Sequence, residues 1–295
     1  MPLFALVALT MLNFAGNSLL TRAGVTLGGL SAVEFALIRL GSGALMLAVL
    51  VMWRGSALRW SGRVRLTGVA SLLLYLFGFS VAYLGMDSGM GALILFGMVQ
   101  VTMFAGALLN GEPLPRQRWI GAGLATLGLV WLLWPSGAAA VSLTHGLAMA
   151  LAGVGWGMYS LAGRKEPDAL AGTAANFIMA AAIVALAWGG SAMSGAAWAQ
   201  DMIHAMPLNG VLLACVAGAI TSALGYALWY TVLPQLQAAV AAVAQLTVPV
   251  IAMLGGMVWL NEALSLRFVL AAVLVLGGVA ISVRQGRGPK PADKA

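Results

Sequence analysis

The chain has 295 residues, of which 62% are apolar and 8% are charged, and its formal net charge is +7. Soluble domains carry about 25% charged residues, so this composition excludes a water-soluble globular protein. About ten apolar blocks, each near the length of roughly 20 residues that crosses a bilayer, leave no room for a separate soluble catalytic domain. The single cysteine, Cys215, excludes an intrachain disulfide.

The apolar blocks predict ten membrane-spanning helices, because a lipid bilayer cannot satisfy the backbone of an open sheet. The start of the chain has no basic leader, so we expect the first block to be a retained span. Pro249 falls well inside the ninth block, which predicts one kinked helix. The predicted spans are residues 2–21, 31–53, 66–84, 91–110, 119–134, 145–163, 169–188, 208–232, 237–260 and 266–284.

The positions of the basic residues predict the orientation of these spans. If both termini are cytoplasmic, twelve of the 15 basic residues lie in cytoplasmic segments, including the basic tail 285–295. Such a bias is typical of membrane proteins whose positive loops stay inside. The sequence therefore predicts an integral protein of the cell (inner) membrane with both termini cytoplasmic. The positive charge is explained by topology and by contact with membrane lipid, so we expect no nucleic-acid partner.

Two parts of the chain resemble each other at a constant offset of 150 residues. Each part follows an apolar span with a glutamate and then a second span, and shorter similarity links Asn17–Arg22 to Tyr159–Arg164 at an offset of 142. The matched pairs are Gly106 with Gly256, Glu112 with Glu262, Leu114 with Leu264, Leu124 with Leu274 and Gly128 with Gly278. The sequence therefore predicts a first five-helix repeat over residues 1–134, a linker over 135–144 and a second repeat over 145–284, with both repeats in one membrane domain.

An odd number of spans in each repeat has a topological consequence. The second repeat must enter the membrane from the side opposite to the first, which gives an inverted repeat. Secondary transporters use inverted repeats to build two alternating conformations around a site near the bilayer midplane.

The chain resembles the drug/metabolite transporter superfamily, in its ten-helix EamA-type branch. The resemblance rests on Arg39 within Leu37–Leu45 and on the two span–glutamate–span junctions at Glu112 and Glu262. Within that superfamily the chain is most similar to the YddG-type exporters of aromatic amino acids. The resemblance implies ten helices, cytoplasmic termini and a central cavity lined by helices of both halves. The chain has Glu34 where many members carry a proline.

Three residues are candidates for gating or for carrying charge within the membrane: Glu34, Arg39 and Pro249. Arg39 lies about 12 Å into the second span at 1.5 Å per residue, where it would gate, anchor a substrate carboxylate or serve as a structural arginine. Glu34 would couple to protons or remain a wet interfacial residue. Pro249 would leave the carbonyl of Gln245 without its usual donor at a kink beside the cavity.

Neutral polar and aromatic residues inside the spans are candidates for a substrate cavity. Aromatic faces with a few polar tips suit a flat amphipathic solute, although tryptophan and tyrosine near span ends also form interfacial belts. The cavity candidates are Asn13, Asn17, Tyr75, Tyr83, Gln100, Trp156, Tyr159, Ser160, Asn176, Tyr226 and Gln245.

The sequence thus predicts a secondary transporter that exports small organic solutes, above all aromatic or other apolar amino acids, by alternating access. Export of other metabolites or drugs is the nearest alternative, and a structural membrane protein or an intramembrane lipid enzyme is the alternative of another class. We expect no enzyme activity, because the chain has neither an HExxH nor a phosphate-binding GxxxxGK[ST] motif. We also expect no cofactor and no metal, and a monomer suffices for this function.

Overall fold

The computed structural model describes residues 2–109, 111, 115–134, 142–163, 166–194, 206–232, 235–236 and 244–283. Every long regular element in these ranges is a helix. The first half contains α1 (Leu3–Thr26), α2 (Ala32–Arg54), α3 (Arg63–Ala82), α4 (Ser88–Leu109) and α5 (Arg116–Leu133). The second half contains α6 (Leu143–Gly163), α7 (Ala169–Met193), α8 (Leu208–Val216), a π-helix called π1 (Ala217–Leu224), α9 (Gly225–Val232), α10 (Thr247–Trp259) and α11 (Leu266–Val283).

Seven apolar helices are long enough to cross a membrane: α1 to α4, α6, α7 and the continuous helix Leu208–Trp229, which runs through α8, π1 and α9. Their outer faces carry large apolar side chains, such as Leu45, Leu66 and Leu186, which are 68%, 73% and 76% exposed. A helix that is apolar on all sides belongs in lipid. The chain is therefore an integral membrane protein.

The prediction of ten spans is met only in part. Helices α10 and α11 are apolar but shorter, and α5 has 18 residues with Arg116 and Arg118 in its first turn. At 1.5 Å per residue, the 13 residues of α10 reach about 20 Å, short of a hydrocarbon core of about 30 Å. The count of ten spans stays a prediction. The predicted linker 135–144 up to residue 141, the tail 285–295 and Glu112 lie outside the described residues.

The single kinked helix predicted over 237–260 is described only from Ala244 onward, where the helical residues Ala244 and Gln245 are followed by a turn at Leu246 and then by α10. A turn at Leu246 precedes α10, which begins at Thr247, and Pro249 therefore lies in the first turn of a helix. The first amide groups of a helix have no acceptor within it, so a proline there removes no hydrogen bond. The helix is interrupted at Leu246, three residues before Pro249, and the predicted kink of one continuous helix stays a prediction, because residues 237–243 lie outside the described residues.

The span predicted over 208–232 is present, but its middle turns are π-helical rather than α-helical. The hydroxyl of Ser222 donates to the carbonyl of Ala217, five residues back, at 2.7 Å, and the hydroxyl of Thr221 donates to the same carbonyl at 3.0 Å. Side chains that bond to the preceding turn compete with the backbone ladder and widen it. Short π-helical turns inside α-helices often lie at functional sites.

The helices pack as a bundle in which the two halves interleave. Helix α3 packs along α6, α2 packs on α7 and π1, and α5 packs along α11. Helix α4 contacts α6 and α10, and α1 contacts α8, π1, α9 and α10. The helices of the first half therefore do not form a core of their own. Buried residues of both halves belong to one hydrophobic core.

Helices α5 and α11 touch through small residues in a reciprocal way. A Cβ on Gly128 would lie 2.8 Å from the side chain of Val275 and 3.0 Å from Leu274, and a Cβ on Gly278 would lie 2.8 Å from the amide of Ala125 and 3.0 Å from Leu124. The two contacts are equivalent, because Gly128 and Gly278 are 150 residues apart and so are Ala125 and Val275. Small residues let helix backbones approach closely in membranes.

Candidate functional site

Arg39 lies at the centre of the bundle and is fully buried. Its Nε donates to the hydroxyl of Ser222 on π1 at 2.9 Å, and its Nη2 donates to the hydroxyl of Tyr75 on α3 at 2.9 Å. The guanidinium carbon also lies 5.3 Å from the ring centre of Tyr75 and 5.1 Å from that of Phe79. Arg39 therefore joins α2, α3 and the π-helical segment.

The π-helical segment and a glycine position the partners of Arg39. A Cβ on Gly218 would overlap the carbonyl oxygen of Arg39 and the hydroxyl of Ser42, so only glycine lets π1 come this close to α2. The widened turn also brings Thr221 and Ser222 to Asn17 on α1, whose side-chain oxygen lies 2.6 and 3.2 Å from their hydroxyl oxygens, so each hydroxyl can donate either to Asn17 or to the carbonyl of Ala217.

An internal cavity lies beside this network. It holds about 10 Å³ of free space, which is the room of about one water. A solute the size of an amino acid therefore needs helix movement before it can enter. The cavity is lined by Phe14, Asn17, Tyr75, Phe79, Leu95, Phe96, Trp156 and Tyr226.

The cavity wall is a connected aromatic cluster. The ring of Trp156 lies 4.7 Å from the ring of Tyr226, 5.1 Å from Tyr75 and 6.0 Å from Phe14, where the two rings meet edge to face. Tyr159 stacks on the other side of Trp156 at 5.6 Å. Aromatic pairs in these geometries add about 0.5–1.5 kcal/mol each beyond their burial, so the wall is stiff and well defined.

The structure brings four of the eleven predicted cavity residues to this cavity: Asn17, Tyr75, Trp156 and Tyr226. Tyr159 lies directly behind them, and its buried hydroxyl has no hydrogen-bond partner. Whether these residues bind a solute stays a prediction.

The other predicted cavity residues lie elsewhere. Tyr83 and Asn176 are buried in polar clusters at opposite ends of the bundle. Asn13 and Ser160 donate to carbonyls one turn back in their own helices, at 2.8 Å each. Gln100 and Gln245 are half-buried and do not line the cavity.

Glu34 has a local structural role at the start of α2. Its amide binds the hydroxyl of Ser31, and its carboxylate accepts from the amide of Ser31 at 2.7 Å, so the two residues form a capping box. A capping box satisfies two amides that the helix leaves free. The structure therefore shows a helix cap at Glu34, rather than a charge inside the bundle.

One end of the bundle is closed by a group that we call the Glu262 cluster, consisting of Arg22, Tyr83, Asp87, Ser88 and Glu262. The Glu262 side chain is 4% exposed and accepts from the amide and the hydroxyl of Ser88. Arg22 lies 3.7 Å from Glu262 and donates to the carbonyl of Tyr83 at 2.7 Å. Burial raises the pKa of the Glu262 carboxyl above its ordinary value of 4.5, although the Ser88 hydrogen bonds and Arg22 act to lower it.

The opposite end is closed by a second group, the Arg65 cluster, which consists of Arg54, Arg65, Glu166, Asp168 and Asn176. Arg65 is 3% exposed and forms an ion pair with Glu166 at 2.9 Å. Its Nη1 also donates to the carbonyl of Gly172 at 2.6 Å and to the side chain of Asn176 at 2.7 Å. This geometry joins the start of α3 to the start of α7.

Asp168 caps α7 at the same end. Its carboxylate accepts from the amides of Leu170 and Ala171 at 3.1 Å each, and Arg54 lies 3.9 Å away. Partial burial acts to raise the pKa of Asp168, but the hydrogen bonds and Arg54 outweigh it and hold the pKa below its ordinary value of 3.8.

Sequence reasoning missed two groups of residues in this arrangement. Phe14, Phe79 and Phe96 line the cavity, but a phenylalanine in an apolar span gives no signal that distinguishes it from the rest of the core. Arg65 was assigned to the basic loops. Its partner Glu166 lies about a hundred residues away in the sequence, so no local pattern indicates that they pair.

The energetics of Arg39 are unusual for a buried charge. A charged side chain at the centre of a bilayer costs about 2.5–3.5 kcal/mol on insertion scales and more in other estimates. A hydrogen bond to a charged group stabilises it by about 1.5–3 kcal/mol, and a cation–π contact with an aromatic face stabilises it by about 0.5–2 kcal/mol. The two hydrogen bonds and two rings around Arg39 therefore offset the cost of burial without any carboxylate.

Comparison with known proteins agrees with this architecture. Residues 144–284 match the profile of the EamA-like transporter family. The chain is 44% identical, over 97% of its length and 96% of the relative's, to the uncharacterized protein PA1977 of Pseudomonas aeruginosa. A crystal structure with 21% sequence identity matches 94% of the chain and 96% of its own chain with a TM-score of 0.64, which shows a shared fold. Members of this family are transporters rather than enzymes, and the chain belongs to the EamA-like transporter family.

Proposed function

We propose that this protein is a secondary transporter that exports small organic solutes, with aromatic or other apolar amino acids as its main substrates. Family membership supports transport of small solutes across a membrane. The observation that carries the substrate proposal is the aromatic cavity between the two halves, where Trp156, Tyr226 and Tyr75 surround a small space next to polar groups. Flat apolar side chains stack well on such a wall.

The two closed ends support a transport cycle of alternating access. The Glu262 cluster and the Arg65 cluster lie at opposite ends of α3, about 27 Å apart at 1.5 Å per residue. Tyr75 and Phe79, which line the cavity, lie between the two clusters on α3. Opening one cluster while the other stays closed would expose the cavity to one side of the membrane at a time.

We further propose that the two halves are inverted repeats of five helices. The approach of Gly128 to Val275 and of Gly278 to Ala125 supports this, because the offset of 150 residues converts one contact into the other, as a two-fold axis would. Gly111 and Asn261, which are also 150 apart, both have positive φ, at 71° and 55°. Helices α2 with α7 and α5 with α11 pack on each other, as pairs across such an axis would.

The proposed orientation has both termini in the cytoplasm of a cell with the protein in its inner membrane. The Glu262 cluster then faces outward and the Arg65 cluster inward. Single cysteines placed at Gly55 and Leu84 in a Cys215→Ser background would test this orientation. Labelling of intact cells by a membrane-impermeant maleimide should modify the cysteine at 84 and leave the cysteine at 55 unmodified.

The substrate proposal is tested by flux in proteoliposomes made with the full chain. Labelled Phe, Trp, Tyr and Thr and a lipophilic cation are loaded, and efflux is measured with and without an imposed pH gradient. Saturable efflux of the aromatic amino acids is expected. Efflux of the cation without any aromatic amino acid would favour the alternative, an exporter of other metabolites or drugs, and no flux of any probe would reject transport of these solutes.

A further inference from the structure

The guanidinium of Arg39 has an unused donor inside the protein. Its Nη1 is buried and has no hydrogen-bond partner, while Nε and Nη2 are each bonded to a hydroxyl. Within the described ranges, no carboxylate lies at ion-pair distance from Arg39, whereas the buried Arg65 has Glu166 at 2.9 Å. The two buried arginines therefore differ in one respect: Arg65 has an internal anion and Arg39 lacks one.

The neighbours of Arg39 hold its position but do not neutralise its charge. Tyr75 and Ser222 offer hydroxyl oxygens, and Tyr75 and Phe79 offer ring faces. All of these groups are uncharged as long as the tyrosine stays protonated. A positive charge held in a low-dielectric interior attracts an anion far more strongly than it would in water.

The cavity gives an anion access to this region of the protein. Tyr75 and Phe79 contact Arg39 and also line the cavity. Arg39 lies behind these two residues, whereas Tyr226, whose buried hydroxyl also has no hydrogen-bond partner, lines the cavity itself. Tyr226 is also an electrostatic neighbour of Arg39, so this hydroxyl and the guanidinium lie near each other, and a carboxylate with two oxygens can accept from both.

The same wall carries aromatic faces that attract a cation, but it has no anionic side chain that would neutralise one. None of the residues that line the cavity is acidic. The side-chain oxygen of Asn17 already lies within hydrogen-bond distance of the hydroxyls of Thr221 and Ser222. An ammonium ion would meet aromatic faces and the positive charge of Arg39, which repels it.

We infer that the cavity binds the carboxylate of an aromatic or apolar organic acid at Arg39 and Tyr226, and that it rejects organic cations that carry no carboxylate. This inference rests on the proposed function, because it names the chemical class of the transported solute. The ring of the solute then stacks against Trp156, and its carboxylate supplies the anion that Arg39 lacks.

The test uses three probes that share one phenyl ring: 3-phenylpropanoate with a carboxylate, phenethylamine with an ammonium and phenylalanine with both. Binding to the detergent-solubilised full chain is measured by isothermal titration, and flux is measured in proteoliposomes. Phenylalanine and 3-phenylpropanoate should bind at least tenfold more tightly than phenethylamine. Equal or tighter binding of phenethylamine would overturn the inference.

Variants test which residues of the protein bind the carboxylate of the probe. Arg39→Gln should weaken binding of 3-phenylpropanoate at least tenfold, while Tyr226→Phe, which keeps the ring, should weaken it several-fold. Arg63→Gln is the control, because Arg63 is exposed and should leave binding of all three probes unchanged. If Arg39→Gln does not fold, as judged by size-exclusion chromatography, the preference of the unaltered chain and the Tyr226→Phe variant still decide the question.

Binding and flux separate this inference from the proposed function. Carboxylate-selective binding without flux of any probe would support the anion site and reject transport of these solutes. Flux of phenylalanine and phenethylamine at equal rates, with no loss in Arg39→Gln, would support transport and overturn the anion site.

Discussion

The two polar clusters close opposite ends of the same bundle, but they do so with different chemistry. In the Arg65 cluster the charges meet at 2.9 Å, and two further acceptors hold the guanidinium. In the Glu262 cluster the nearest arginine nitrogen lies 3.7 Å from the carboxylate, and the short hydrogen bonds come from Ser88. A direct ion pair stabilises the Arg65 end, whereas at the other end the carboxylate of Glu262 accepts hydrogen bonds from the neutral Ser88.

This difference predicts opposite responses to pH. The pKa of Glu262 is raised, so the stability that it contributes is present at low pH and decreases as the pH rises above 4.5 through the raised value. The pKa of Asp168 in the Arg65 cluster is lowered, so its contribution is present above pH 3.8 and decreases as the pH falls below that value. Acid therefore stabilises the folded state through Glu262 and destabilises it through Asp168.

The largest effect is expected for Arg65→Ala. Removing one partner of a buried ion pair leaves Glu166 uncompensated, which costs about 3–5 kcal/mol. The free energy of unfolding, measured by SDS titration in mixed micelles, should decrease by that amount. The carbonyl of Gly172 and the side chain of Asn176 also lose their donor.

The matched control for Arg65→Ala is Arg63→Ala. Arg63 lies two residues earlier in α3 and is exposed, so its removal should change the free energy of unfolding by less than about 0.5 kcal/mol. Equal effects of the two substitutions would contradict the view that the Arg65 end is fastened by its ion pair.

The next largest effect is expected for Gly278→Ala, which tests a contact between α5 and α11 that contains no ionisable group. A Cβ there would lie 2.6 Å from the carbonyl oxygen of Gly121, and such overpacking costs about 1–3 kcal/mol. Gly277→Ala is the control, since nothing lies within 4 Å of its Cβ. Because alanine favours helices over glycine by about 1 kcal/mol, Gly277→Ala should be neutral or stabilising. Neither substitution should alter the pH dependence of unfolding, and a Gly278→Ala variant as stable as Gly277→Ala would refute this packing.

The sequence predicted the features that local composition can carry. The positions of most spans follow from apolar blocks, and the equivalence of Gly128 and Gly278 was indicated by the repeat. Arg39 was identified because a lone charge inside an apolar span is conspicuous. Tyr75, Tyr226 and Asn17 were identified for the same reason, because each is a polar side chain inside an apolar span.

Other features depend on pairing across the bundle, and the sequence alone does not determine them. The role of Glu34 as a cap depends on the backbone at Ser31, and the position of Pro249 depends on where α10 begins. The π-helical turn arises because two adjacent hydroxyls, Thr221 and Ser222, both reach the carbonyl of Ala217. The adjacent hydroxyls are visible in the sequence, but their common acceptor is a property of the fold.

A smaller effect is expected for Glu262→Gln, which removes the titration at the end held by Ser88. The neutral amide oxygen can still accept from Ser88, so the variant imitates the protonated carboxyl. The unaltered chain should lose stability as the pH rises from 4.5 toward 7, because a raised pKa favours the neutral form. The difference in unfolding midpoint between variant and unaltered chain should therefore grow with pH in a non-ionic detergent. Identical pH profiles for the two proteins would show that Glu262 does not sense pH.

The smallest effect is expected for Asp168→Asn at the other end. Asparagine caps a helix about as well as aspartate, so at neutral pH the free energy of unfolding should change by less than about 0.5 kcal/mol. Asp168→Ala, which loses the cap at every pH, should cost about 1 kcal/mol. Below pH 3.8 the unaltered chain should lose stability while the asparagine variant does not, since a lowered pKa means that protonation weakens the folded state. If acid destabilises both proteins equally, Asp168 is not a source of acid sensitivity, and the predicted contrast in pH response between the two ends would be wrong.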